Sequence, residues 1–400
     1  MTSRLSPQDF KPKIIFDTDP GVDDILALLL LLTSNEAELA LITVTFDNFR
    51  PFKSLSGRPK QVPQLEIKAD RLFGSYYTVI RRAALGRHGP DGLSDISTTH
   101  PEFNLRDRTR LSELIQESDV PAEDAIINVL LKNPEDSITI VAVGPCAYTT
   151  CIVVLAETHE NYTVTNIARV WFKNPQALQR ARRIVVMGGA LDVPGNTSAT
   201  AEFNFFADPK AATIIMDAAK SESINLLLTP LDLTTQHGIP FSHLMHPLFL
   251  SGSLISGPEL SKSMSPLRAF ASAILYRVRR VTRELGLPDV FDMHDPLAVW
   301  AGLVHASLPR DASLREGWGM ERRDFVIECT GQYTQGMCVV DRRGGTDVTG
   351  GVRSIDGVQG ADAAKSKPPV GVKVLNLTPG LPALEAEMIE KIFWDLRAAN

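Results

Sequence analysis

Residues 13–24 read Lys-Ile-Ile-Phe-Asp-Thr-Asp-Pro-Gly-Val-Asp-Asp, and four of the last eight are aspartates. An apolar strand pattern precedes the acids and an apolar helix pattern follows them. They therefore occupy a strand-to-helix turn, which is where α/β folds place their chemistry. Like charges brought together repel, and they coexist only around a cation or with shared protons. The Pro20-Gly21 pair forces a tight turn that can aim several carboxylates at one point. Acids at a helix N-terminus also complement the macrodipole. That accounts for Asp23 and Asp24 but not for Asp17 and Asp19 at the strand end. The turn reads as a metal or catalytic site.

Apolar, β-branched runs recur at 13–17, 39–46, 137–143, 183–187 and 223–228, with helical patterns between several of them at 23–32, 121–131, 177–182 and 208–219. Strands alternating with helices predict an α/β fold with a mainly parallel central sheet flanked by helices. No Pro/Ser linker divides the 400 residues, and the candidate motifs run from residue 17 to 295, which favours a single domain over 1–400. The pattern at 266–285 is one long helix. Pro296 fits the first position of the next, which puts His294 and Asp295 just before its N-terminus. The segment 343–371 is rich in Gly, Asp, Lys and Ser and reads as loop, before a closing helix at 382–398.

A net charge of −6 without a long basic run argues against nucleic acid as the partner. The four cysteines lack zinc-type spacing, which makes a reduced compartment the default. Residues 1–13 hold no apolar signal core, and the apolar run 25–32 is too short to span a bilayer. The expectation is a cytoplasmic protein with no membrane partner.

Three more clusters join the first. Gly188-Gly189-Ala190 follows a strand, and Gly195-Asn196 precedes Ala201-Glu202-Phe203-Asn204. On an extended segment Glu202 and Asn204 would share one face. His294-Asp295 sets an imidazole beside an acid, and Asn48 ends the second strand. A set of Asp, Asn and Glu without cysteine is an oxygen-donor set, suited to calcium or magnesium rather than zinc. Carboxylates and amides without a nearby Lys or Arg bind hydroxyls better than phosphate, so the ligand reads as a polyol or sugar. Phe16-Asp17-Thr18-Asp19 also fits the nucleophile motif of haloacid-dehalogenase-type phosphatases. That reading lacks the later lysine and leaves Glu202, Asn204, His294 and Asp295 unexplained.

In this order the residues resemble the inosine–uridine nucleoside hydrolase family. Its Asp-x-Asp-Pro-Gly-x-Asp-Asp signature is matched by Asp17 to Asp24. Further matches are Val186-Met187-Gly188-Gly189, Gly195-Asn196, Ala201-Glu202-Phe203-Asn204 and Met293-His294-Asp295-Pro296-Leu297-Ala298. His88-Gly89-Pro90-Asp91-Gly92-Leu93 is similar to the family's His-Gly-x-Asp-Gly-Leu loop, which makes His88 a substrate-contact candidate. The matches cover most of 13–48, 84–145 and 165–342.

The resemblance implies a Rossmann-related fold, hydrolysis of the N-glycosidic bond of ribonucleosides, one bound Ca²⁺ and a homodimer or homotetramer. It implies Asp19 as calcium ligand and general base, with Asp24, Asp295 and the Val143 carbonyl as further ligands. Asp23, Asn48, Asn196, Glu202 and Asn204 would grip the ribose, and His294 would meet the leaving base. Tyr276, Arg277 and Arg280 could face the base, and the reading leans to a pyrimidine-capable or broad hydrolase.

The chain departs from the family twice. About eighteen extra residues, 146–163, follow Gly144-Pro145, and 49–77 shows no clear helix or strand period and is expected to be irregular. A family member that binds calcium or ribosides without turnover is the competing expectation.

Overall fold

Strand β1 (Lys13–Thr18) sends its side chains alternately into two separate apolar cores. Ile14 and Phe16 join one core and Ile15 joins the other. A strand covered on both faces must be apolar on both, which is why β1 reads as a nearly continuous hydrophobic run. The computed structural model describes residues 11–44, 93–103, 120–144, 166–251, 264–342 and 371–393, together with the backbone of 54–56 and 116–118. Asn48, His88, the segment 146–163, residues 343–370 of the loop region and nearly all of 49–77 lie outside them.

The other strands are β2 (Glu38–Val44), β3 (Ser54–Ser56), β4 (Gln116–Ser118), β5 (Ile138–Ala142), β6 (Arg183–Met187), β7 (Leu226–Thr229), β8 (Gly238–Pro240), β9 (Val290–Asp292), β10 (Gly319–Arg323), β11 (Val326–Ile327), β12 (Cys338–Val339) and β13 (Val372–Leu377). Among the described residues the main sheet has nine strands in the order β10-β13-β7-β6-β5-β1-β2-β3-β4. The run from β13 to β2 is parallel, and antiparallel strands finish both edges. The chain leaves β1 for β2 on one side and later returns to β1 on the other as β5. That reversal opens a crevice at the C-terminal ends of β1 and β5, where open α/β sheets bind their ligands.

Helices Val22–Thr33, Pro266–Glu284, His294–His305 and Leu381–Lys391 supply one core; Ala122–Lys132, Asn166–Lys173, Pro175–Gln179 and Pro209–Lys220 supply the other. The predicted helix at 177–182 is the end of a broken pair, because Asn174 stops the first helix and caps the second by accepting from the Ala177 N–H at 3.0 Å. The strands β10 and β13 lie outside the apolar runs picked out in the sequence. Helix His294–His305 begins two residues earlier than the proline implied, so His294 and Asp295 lie in its first turn. Proline is tolerated throughout a first turn, whose N–H groups have no intrahelical partner.

The far end of this helix is pinned by a neutral imidazole. His305 is fully buried; Nδ1–H donates to the Ala301 carbonyl at 2.8 Å and Nε2 accepts from the Arg315 N–H at 3.3 Å. Trp318 meets the ring edge-on at 4.9 Å. Burial, reinforced by the Arg183 and Arg315 charges, pushes the pKa down to about 4. The folded value lies below the unfolded one, so this stability is complete above pH 6.5 and is lost as pH falls towards 4. The loss amounts to at most about 3 kcal/mol. Urea unfolding at pH 7 and 4.5 should therefore give a shallower acid dependence for His305→Asn than for the wild type. Equal slopes would exclude this origin.

Candidate active site

The turn after β1 folds back on its own acid. Both oxygens of Asp24 are engaged: the Thr18 hydroxyl and the Asp19 N–H (3.2 Å) donate to Oδ1, and the Gly21 N–H donates to Oδ2 at 2.9 Å. Gly21 caps helix Val22–Thr33, so Asp23 and Asp24 fall in its first turn. Asp295 arrives opposite them on the first turn of helix His294–His305. Asp23, Asp24 and Asp295 each present a carboxylate oxygen, all within 4.8 Å of one another. Asp24 and Asp295 are buried, whereas Asp19 and Asp23 are partly open.

These acids perturb one another. Burial first, then the charges of Asp23, Asp24 and Asp19, hold the Asp295 carboxyl well above the usual range. Burial, then Asp24 and Asp23, does the same to Asp19, and burial and Asp23 raise Asp24. The principal charges acting on all three are thus other carboxylates. A cluster of this kind fits a hard divalent cation, which takes oxygen ligands and removes the repulsion that otherwise keeps such acids protonated.

Asp17 plays a different part. It is fully buried, and its Oδ1 accepts from the Thr43 hydroxyl at 2.5 Å and the Asn166 amide at 2.7 Å. A carboxylate so enclosed cannot be a phosphatase nucleophile; it ties β1 to β2 and to Asn166, where the described chain resumes beyond the 146–163 segment. The chain thus re-enters at the crevice through Asn166.

At the end of β5, the Val143 N–H donates to the Asp17 carbonyl at 2.9 Å. Gly144 then passes so close to the acid turn that a Cβ would lie 2.7 Å from the Asp19 nitrogen and 2.8 Å from the Thr18 carbonyl carbon. Asn204 Nδ2 spends its two hydrogens on the carbonyls of Val143 (2.9 Å) and Met187 (3.1 Å), bridging the ends of β5 and β6. Its Oδ1 is the atom left to meet a ligand.

The expected extended arrangement of Glu202 and Asn204 does not occur. Glu202 is the N-cap of a short helix, Phe203–Ala207, and accepts from the N–H groups of Asn204 (2.7 Å), Phe205 (3.1 Å) and Gly189 (2.8 Å). Burial pushes its pKa up to about 6. Asn196 is exposed, and its Oδ1 accepts from the Phe203 N–H at 2.9 Å.

His294 Nδ1 lies 2.7 Å from the hydroxyl of Thr234, a residue absent from the expected site. Thr234 belongs to Pro230-Leu231-Asp232-Leu233-Thr234 after β7, and its position after a buried strand was the available signal. Of the residues expected to face the base, Tyr276 is partly buried. Arg277 is paired with Asp95 at 2.7 Å, and Arg280 is exposed beside Glu284.

A doubly wound sheet with an all-oxygen acid cluster at its switch point is an α/β ligand crevice whose acids could hold a divalent cation. The family model of the inosine-uridine preferring nucleoside hydrolases matches residues 14–162 and 163–367. The chain belongs to this family and is a hydrolase acting on N-glycosyl compounds. The break between the two matches falls at the end of the 146–163 segment. An uncharacterized protein of Schizosaccharomyces pombe is 32% identical over 335 residues, 82% of this chain and 89% of that one. The pyrimidine-specific ribonucleoside hydrolase RihA of Salmonella arizonae is 28% identical over 331 residues, 82% of this chain and 88% of its own. A plant nucleoside hydrolase, the PpNRh1 enzyme, shares the fold with a TM-score of 0.62 at 23% identity, covering 96% of this chain and 99% of its own.

Gly144→Ala tests the close approach of β5 to the acid turn. The methyl group meets backbone atoms that cannot rotate away, so the turn and the Val143 carbonyl must separate. The expected result is a lower melting temperature and roughly tenfold or greater loss of divalent-cation affinity by calorimetry. Unchanged values for both would refute the packing argument.

Proposed function

We propose that this chain hydrolyses the N-glycosidic bond of ribonucleosides to free base and ribose, with Asp19 as general base. The convergence of Asp23, Asp24 and Asp295 on one point carries this reading. Calcium, the cation implied by the family resemblance, would be held by Asp24, Asp295, Asp19 and the Val143 carbonyl and would polarise the attacking water. Asp19, partly open beside this group, would take the proton of a water attacking C1′. The same carboxylates stabilise the positive charge that gathers on the sugar.

Asp23 accepts from ribose hydroxyls. Glu202 and the Oδ1 of Asn204 have acceptor capacity beyond their bonds to the protein, and Asn196 lies on the segment leading to them. Asn48 and His88 complete the proposed substrate contacts. His294 faces the departing base. The likeness to RihA supports a pyrimidine-capable enzyme. We further propose one hydrolase domain over 1–400, a homodimer or homotetramer, and a cytoplasmic setting in keeping with the free thiols of Cys329 and Cys338. No helix among the described residues is long and apolar enough to cross a membrane.

Ribose release from uridine and inosine, measured beside metal content, tests this. The wild type should release ribose, and Asp19→Asn should lower kcat about 10²- to 10⁴-fold, the usual worth of a general base. Chelation should abolish release and calcium should restore it. Folded, calcium-loaded wild type that leaves both nucleosides intact would replace hydrolysis with binding alone.

A further inference from the structure

The hydroxyl of Thr234 is fully buried and has His294 Nδ1 as its partner at 2.7 Å. A buried hydroxyl costs free energy unless it is bonded, and valine would fill the same volume without that cost. The pair joins segments 60 residues apart, and backbone bonds hold both ends. On one side the Leu231 N–H donates to the Gly189 carbonyl at 2.9 Å. The Asp232 carboxylate there accepts from the N–H groups of Leu191 and Asp192 at 2.9 and 2.7 Å. On the other side β8 pairs with β9, and the Met293 N–H donates to the His237 carbonyl at 3.2 Å. Thr234 and His294 are therefore brought together by the framework and not by a mobile loop.

We propose that Thr234 is a positioning residue for His294: its hydroxyl donates to Nδ1, which places the proton of the neutral imidazole on Nε2 and turns Nε2–H towards the departing base. The inference rests on reading the chain as a ribonucleoside hydrolase. As the C1′–N bond breaks, its electron pair passes to the base. Nε2–H donates a hydrogen bond to the ring nitrogen or carbonyl oxygen where that charge collects, and the imidazole keeps its proton. The partner of one ring nitrogen sets what the other can offer, as with histidines oriented by a neighbour elsewhere. Both purines and pyrimidines present such an acceptor, so this device serves either class of base.

The test compares uridine and inosine with 4-nitrophenyl β-D-ribofuranoside, whose phenolate departs without help. Thr234→Val should lower kcat on the nucleosides about 10- to 100-fold, with a far smaller fall on the nitrophenyl riboside. Thr234→Ser should recover most of the loss, and His294→Ala should show the same split more strongly. Equal losses on all substrates in Thr234→Val, or no loss on any, would overturn the positioning role while leaving the hydrolase reading intact. A His294→Ala variant without a split would overturn the role of the imidazole, and Thr234's with it. Folded wild type inactive on every riboside would instead overturn the hydrolase reading. A second readout is independent of turnover: ¹⁵N NMR should find Nδ1 of His294 unprotonated and hydrogen-bonded, a state lost in Thr234→Val. A protonated Nδ1 in the wild type would overturn the proposal.

Discussion

Carboxylates that face one another in a buried crevice repel, and the charges acting on Asp19, Asp24 and Asp295 are those of other carboxylates. Burial and mutual charge hold Asp19, Asp24 and Asp295 above the ordinary range, with further acids as the principal charged neighbours. Most of the surrounding architecture works to keep that group assembled. Thr18, Gly21 and the Asp19 amide fold Asp24 over the turn. Asp17 ties the same strand sideways to Thr43 and Asn166. Gly144 allows the end of β5 to press against the turn with no side chain between. The cost of holding like charges together is borne by a sheet buried on both faces, which cannot relax at one strand without disturbing its neighbours.

The polar residues around the group fall into two kinds. Asp19, Asp23 and Asn196 are open enough to meet a ligand. Glu202 and Asn204 are committed largely to the protein, one capping a short helix and the other bridging two strand ends. They hold the walls of the crevice in register, and any contact with a sugar uses the acceptor atoms that remain. Thr234 belongs with this second kind, since it acts on its neighbour His294.

Much of this was legible in the residues. The apolar runs of β1, β5 and β6 marked parallel strands because burial on both faces demands them. The acid turn stood out because such a density of like charge after a strand has few structural uses. Less legible were features with no local period. Glu202 caps its helix locally but is also anchored to the N–H of Gly189, thirteen positions away, and β13, which carries the edge strand β10, follows a stretch without apolar alternation. The start of helix His294–His305 was misplaced because proline permits several first-turn positions and the sequence does not choose among them.

The sequence by itself determined the fold class, the family and the acids available for chemistry, because periodicity and short motifs are local properties. Only the tertiary structure decided which acids converge. It turned Asp17 inward to its neighbours and brought Asp295, 271 positions beyond Asp24, to Asp23 and Asp24. It also set Thr234 against His294. Those pairings depend on the order of strands in the sheet and on the helices packed across it, and strand order is a long-range outcome that no window of sequence contains.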